Sequence, residues 1–159
     1  MIRVGIGYDL HRLEEGAPHL VLGGVRVPFT KGAVAHSDGD VVVHALIDAL
    51  LGAAGLGNIG QRFPDTDPTL RGIDSMALLE RTVRLLGSSG FTVVNADMVV
   101  VLEQPKLAPH LDAMRQRMAE CLKIERHRVS VKPKTNEGVG PEGRGEAVSA
   151  QAVVLVQQQ

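Results

Sequence analysis

The stretch VVVHALIDALLGAAGL, residues 41–56, limits the fold more than any other part of the chain, because it is apolar or glycine everywhere except His44 and Asp48. It is too short to span a bilayer. The preceding SDGD predicts a helix with Ser37 as its N-cap and Asp40 at its third position, where negative charge suits the helix dipole, running to about Gly55. Residues four apart share a helix face, so Asp40, His44 and Asp48 form one polar stripe on an otherwise aliphatic surface. Such a stripe cannot face a dry core unpaired.

The rest of the chain alternates strands with helices. RVGIGYDLH reads as a strand, and HLVLGGVRVP as a hairpin turning at Gly23 and Gly24. NIGQRFPDTDP reads as a loop, and DSMALLERTVRLLGSSG as a helix capped by Asp74 and stopped at Gly87 or Gly90. Then come the strand FTVVNADMVVVLE, the helix APHLDAMRQRMAECLK, the strand RVSVKPK, a glycine-rich loop and the final strand EAVSAQAVVLVQ. In that last strand, Val148, Ala150, Ala152, Val154 and Val156 alternate with Ala147, Ser149, Gln151, Val153 and Leu155. Three helices among strands imply an α/β (α+β) two-layer sandwich, one sheet and one helical layer, in a single domain over residues 1–159.

Composition narrows the partners. The net charge of −1 provides no global field for a nucleic acid or an anionic membrane, so neither is expected, and phosphate chemistry must rely on local charge or a metal. Aromatic residues make up 3% of the chain, so the core must be aliphatic. The single cysteine, Cys121, excludes an intrachain disulfide or a cysteine zinc cluster, and reads as a small core residue. With no signal-peptide pattern at MIRVGIGYDL, a cytoplasmic protein is expected.

Two groups of residues carry chemistry. Asp9 and His11 are two apart in a strand and share a face, and with His44 they offer one carboxylate and two imidazoles, a set zinc accepts at a site with an open fourth position. Asp40 is a candidate to orient a ligating ring from behind. On spacing alone, a hydrogen-bonded core histidine stands beside the metal reading. His36, just before the helix, is placed either to face a bound phosphate or to lie on the surface, while His19, His110 and His127 read as surface residues. The segment KPKTNEGVGPEGRGE holds Lys132, Lys134, Thr135, Glu137 and Arg144 among glycines. Its GxGxxG spacing precedes a strand rather than a helix, which rules out a dinucleotide fingerprint. A loop wrapping a phosphorylated ligand, with Glu137 on an oxygen-liking cation, and a solvated hairpin connection both fit. EQPKLAP, stiffened by Pro105 and Pro109, is suited to reading a base edge or to serving as a rigid strand exit.

Taken in order, GYDLH, GGVRVP, AHSDGDVVVHALIDALLGAAGLGNIGQRFPDTDP, QPKLAPH, KTNEG and GRGEA resemble the 2-C-methyl-D-erythritol 2,4-cyclodiphosphate synthases over essentially the whole chain. The resemblance implies an enzyme of non-mevalonate isoprenoid synthesis, a phosphorus–oxygen lyase that closes a cyclic diphosphate and releases CMP. It implies a mixed sheet with helices on one face, assembled around a threefold axis as a homotrimer with sites between subunits. Asp9, His11 and His44 are implied zinc ligands, one ion per subunit, and Glu137 a ligand to magnesium or manganese at the diphosphate. His36 and Thr135 match positions that stabilise the transition state, and Arg144 a phosphate contact. His36, Ser37 and Asp48, with Asn58, Ile59 and Gly60, match the side facing the methylerythritol phosphate. Phe63, Pro64, Asp65, Thr66 and Asp67 extend it. Leu102, Pro105, Lys106, Leu107 and Ala108 match the cytidine segment, together with Pro133, Lys134, Thr135, Asn136 and Glu137.

Departures from that pattern fall at Asn58, where the family usually has Asp, at Pro133 and Lys134, where small or hydroxyl residues are common, and at Pro141, where an aromatic is frequent. The zinc set and Glu137 are intact. The alternatives are a zinc-dependent phosphate-ester hydrolase, with Asp48 or Asp65 as base, and a non-catalytic nucleotide-binding trimer.

Overall fold

The computed structural model describes all residues, 1–159. In chain order it contains β1 (Ile2–Glu15), the hairpin β2 (His19–Leu22) and β3 (Val25–Pro28), and the short β4 (Lys31–Ala33). Helices α1 (Val41–Ala54), α2 (Ile59–Arg62) and α3 (Ser75–Ser88) follow, then β5 (Phe91–Val101), α4 (Leu111–Leu122), β6 (Val129–Lys134), α5 (Gly140–Gly143) and β7 (Ala147–Gln158). Five strands form one mixed sheet in the order β4-β1-β7-β5-β6, antiparallel throughout except for the parallel β5–β6 pair. The hairpin stands apart as a two-stranded sheet, its turn made by Gly23 and Gly24 at φ +59° and +75°. That pair of left-handed residues is what a two-residue turn between twisted strands requires.

Two glycines of β1 determine how the layers meet. Alternation puts Gly5, Gly7, Asp9, His11 and Leu13 on the face toward α1. A Cβ at Gly5 would stand 1.9 Å from the Ala49 carbonyl oxygen, and one at Gly7 would stand 1.8 Å from that of Ala45. The α1 backbone therefore rests directly on the β1 backbone, which no larger residue would allow. The helix is buried on almost every side, with Leu46, Ile47, Leu50 and Leu51 at 0% exposure. That is the environment an all-round apolar helix needs, and truncating one of these leucines to alanine costs about 2–5 kcal/mol. Beside it, α3 buries Leu78, Leu79, Thr82 and Leu86, and α4 buries Met114, Met118 and Leu122. Val148, Ala150, Ala152, Val154 and Val156 of β7 close the core from the sheet side.

Several local expectations change. The N-cap of α1 is Asp40, not Ser37, and Asp40 is therefore not in the third helical position. Its carboxylate accepts from Val43 N–H at 3.1 Å and also from the hairpin amides of Gly23 and Gly24 at 2.9 and 2.7 Å. Burial pushes this carboxyl up to about 6, against the pull of those three amides. Tertiary contact thus decides between two capping candidates in SDGD that are equal in propensity. Strand β4 and the one-turn helices α2 and α5 add to the expected elements, and the hairpin lies outside the single sheet that was anticipated. Ala108–His110 form a 3-10 turn, so α4 begins at Leu111.

Candidate active site

Because α1 sits on Gly5 and Gly7, its residue one turn ahead of Asp48 arrives over Asp9 and His11. Asp9 Oδ2 lies 3.0 Å from His11 Nε2 and 3.0 Å from His44 Nδ1, and the two ring nitrogens face each other at 3.2 Å. One donor atom from each residue falls within 4.8 Å of the others. Two imidazole nitrogens pointed at each other and at one carboxylate oxygen suit a shared cation better than a hydrogen-bond network, since each wants a bare lone pair on the inner side. Burial alone would raise Asp9, but the hydrogen bonds and charges of His11 and His44 outweigh it and bring the carboxyl down to about 2. Burial would lower His44, yet its bond to Asp9 and the charges of Asp9, Asp40 and Asp38 raise it. The cluster is anionic in carboxylate and rich in nitrogen donors, which fits a divalent metal.

The polar stripe divides by role. Asp48 Oδ1 accepts from Ile59 N–H at 2.7 Å, tying the start of α2 to α1. That contact leaves Asp48 a poor candidate for a free general base. Asp40, expected to orient a ligating ring, turns instead to the hairpin. The outer nitrogen of His44, Nε2, meets the hydroxyls of Ser75 at 2.8 Å and Ser37 at 3.0 Å.

A cavity of about 340 Å³ opens beside the cluster. Of the residues singled out in the sequence, Asp9, His11, His36, Ser37, His44, Asp48, Ile59, Gly60, Phe63 and Asp65 line it. Tyr8, Val34, Ala35, Leu70, Ile73 and Leu78 line it as well, and their apolar character offered no signal of a site. Asn58, Pro64, Thr66 and Asp67 lie outside its lining. Asn58 caps α2 in a capping box with Gln61, and Asp67 caps the turn at Thr69 while its carbonyl meets His36 Nε2 at 3.3 Å.

The second half of the anticipated site lies elsewhere. Leu102, Pro105, Lys106, Leu107, Ala108, Pro133, Lys134 and Thr135 surround a separate cavity of about 160 Å³, with no residue in common with the first. Glu103 belongs here too, missed because an acid after an apolar strand looks like ordinary solvation. Its Oε1 accepts from Asn136 N–H at 2.9 Å and Gly138 N–H at 3.4 Å, holding the TNEG turn against the strand exit. Glu137, exposed and at φ +51°, is not part of the three-donor cluster. Pro141 lies within α5 and Arg144 just past it. Arg144 pairs with Glu146 at 3.0 Å and borders a third hollow with Lys31 and Phe29 rather than either cavity. No helix is long and apolar enough to cross a membrane.

Comparison with known proteins places this geometry. The 2-C-methyl-D-erythritol 2,4-cyclodiphosphate synthase of Pelotomaculum thermopropionicum is 55% identical over 155 residues, covering 98% of this chain and 95% of its own. A solved structure of 2C-methyl-D-erythritol-2,4-cyclodiphosphate synthase in a CDP-bound form superposes with a TM-score of 0.89 at 44% identity, over 98% of this chain and 100% of that one. The bifunctional IspDF of Campylobacter jejuni matches with a TM-score of 0.95 at 40% identity over 100% of this chain, which spans 43% of that longer protein. The YgbB family model matches residues 2–157. The chain belongs to the YgbB family.

Proposed function

We propose that this chain is a single-domain cyclodiphosphate synthase. It converts 4-diphosphocytidyl-2-C-methyl-D-erythritol 2-phosphate into 2-C-methyl-D-erythritol 2,4-cyclodiphosphate and CMP, the reaction of a phosphorus–oxygen lyase in the cytoplasm. The convergence of Asp9, His11 and His44 at the head of a cavity, in a chain similar along its length to synthases of that name, carries this reading.

In the reaction, an oxygen of the 2-phosphate forms a bond to the β-phosphorus, the bond from that phosphorus to the bridging oxygen breaks, and CMP departs with the electron pair. A phosphate monoester with a second pKa of about 6 is already largely dianionic at neutral pH, so the protein needs no strong base. Its work is to hold the attacking and leaving oxygens in line and to balance charge. Zinc held by Asp9, His11 and His44 would supply Lewis-acid polarisation of a phosphate oxygen. Glu137 would hold magnesium or manganese, which would supply charge neutralisation at the diphosphate. Ser37, Asn58, Ile59, Gly60 and the Phe63 to Asp67 loop hold the methylerythritol phosphate. The Leu102 to Ala108 segment, with Pro133 to Glu137, holds the cytidine end, where Lys106 and Lys134 balance phosphate charge. His36 and Thr135 stabilise the transition state from opposite ends.

The complete site forms between subunits of a homotrimer. Two observations support this: the two groups of site residues lie in separate cavities of one chain, and the sheet face away from the helices exposes apolar residues of β1 and β7. Val4, Ile6, Tyr8, Leu10 and Val153 are 65%, 73%, 56%, 40% and 45% exposed there. Incubation of the purified protein with the diphosphocytidyl substrate and both metals tests the reaction. Cyclic diphosphate plus CMP is expected. Linear phosphate products would point to a hydrolase, and unchanged substrate to a binding module.

A further inference from the structure

We infer that Asp38 and Ser75 form a relay that sets the tautomer of His44 and so makes Nδ1 its metal-ligating atom, an assignment that rests on the metal reading above. Ser75, the first residue of α3, is fully buried, and its hydroxyl meets both the Asp38 carboxylate and His44 Nε2, the latter at 2.8 Å. Asp38 is fixed from two further sides: its Oδ2 accepts from Ser75 N–H at 2.9 Å and its Oδ1 from Asp40 N–H at 3.1 Å.

The proton count determines the direction of the relay. A carboxylate only accepts, so the single hydroxyl proton of Ser75 goes to Asp38. The Ser75 oxygen then has only lone pairs for His44, and Nε2 must be the nitrogen that carries hydrogen. In the neutral ring that metal ligation requires, Nδ1 is then left bare, facing Asp9 Oδ2 and His11 Nε2. Ser37 Oγ, 3.0 Å from the same Nε2, faces no carboxylate that claims its proton, so it accepts or donates with equal ease and does not choose between tautomers. Ser75 is thus a positioning residue that acts through His44, and Asp38 acts through Ser75. Outer partners of this kind typically change metal affinity by about ten- to a hundredfold.

The test is zinc affinity of the full-length protein, measured by competition with a chromophoric chelator, for the parent and for Ser75→Ala, Asp38→Asn, the double variant and Ser37→Ala. Ser75→Ala and Asp38→Asn should each bind zinc about ten- to a hundredfold more weakly. The double variant should lose no more than Ser75→Ala alone, because the two act in series. Ser37→Ala should lose much less. In 15N-labelled, zinc-loaded parent protein, the His44 proton should sit on Nε2, with a second, Nε2-ligated form appearing in Ser75→Ala. Melting curves of the metal-free proteins separate this from misfolding, and if Ser75→Ala fails to fold, Asp38→Asn decides. A folded variant with parental affinity, additive losses in the double variant, or Nε2 bound to zinc in the parent would overturn the relay and leave the metal site standing. A parent that takes up no stoichiometric zinc would overturn both.

Discussion

The two halves of the candidate site are built on opposite principles. The metal half is a product of the core: His44 is 8% exposed on a helix that cannot shift, because β1 has no side chains at Gly5 and Gly7 to separate them. Its donor atoms stand 3.0 to 3.2 Å apart. The half proposed for the cytidine end is a rim of prolines, lysines and a tight turn, mostly exposed, enclosing about 160 Å³ and tied down by Glu103. A half encoded by packing is complete within one chain. A half encoded by loop chemistry stands at the surface, and on the proposed reading a neighbouring subunit completes it.

The most damaging way to break this comparison is to remove a ligand. His44→Ala should abolish stoichiometric zinc and lower kcat at least about a thousandfold, since loss of the metal removes both polarisation and alignment. Metal content by atomic emission and turnover should fall together. A variant with full zinc content and parental turnover would remove His44 from the site.

Complementation tests whether the second half comes from another subunit. His44→Ala and Thr135→Ala should each be impaired. Unfolding and refolding equal amounts together should regenerate intact sites at about a quarter of positions in a closed ring. Activity should then rise well above that of either variant refolded alone. No recovery, with mixed trimers demonstrated by mass spectrometry, would place each site within one chain.

The third test weighs packing against loop chemistry directly. Gly7→Ala drives a methyl into the Ala45 carbonyl and should cost at least about 3 kcal/mol, lowering Tm by about 6–12 °C. Lys134→Ala, on the exposed rim, should leave Tm within about 1 °C while raising KM. If Gly7→Ala melts like the parent, the direct seat of α1 on β1 is wrong.

These two kinds of construction also explain what could be read in advance. Asp9 and His11 share a face by the strand's period of two, and the stripe through His44 follows from the helical period. That they meet depends on contacts across 35 residues of sequence, which no local period encodes. The same holds for Ser75 and Asp38, 37 residues apart, each of which looks like an ordinary helix-start residue by itself. The large elements were legible because hydrophobic periodicity persists over their length. Strand β4 has only the residues KGA, and α2 lies in a stretch whose Gly, Pro and Asp content reads as loop. Ser37 lost the capping role to Asp40 for a tertiary reason, since only Asp40 also reaches the amides of the hairpin. The cytidine residues could be placed only by resemblance. Their spacing fits an ordinary strand exit equally well.

Asn58 gives the smallest effect and the finest test of the metal half, because it stands where the resemblance leads one to expect a carboxylate. Its Oδ1 already accepts from Gln61 N–H at 2.9 Å, so the edge left for a ligand is the amide NH2, a donor. Asn58→Asp keeps the cap, since the two residues cap helices about equally well. It turns the free edge into an acceptor, and a substrate hydroxyl that donates to a carboxylate makes a bond roughly twice as strong as one between neutral groups. The change should therefore lower KM by about three- to tenfold and leave kcat within about twofold, the signature of a contact made equally in the ground and transition states. Steady-state kinetics on the diphosphocytidyl substrate will distinguish this from the opposite case. A large fall in kcat at constant KM would mean that Asn58 acts on the reacting phosphates, and that α2 belongs to the chemistry rather than to the hold on the sugar.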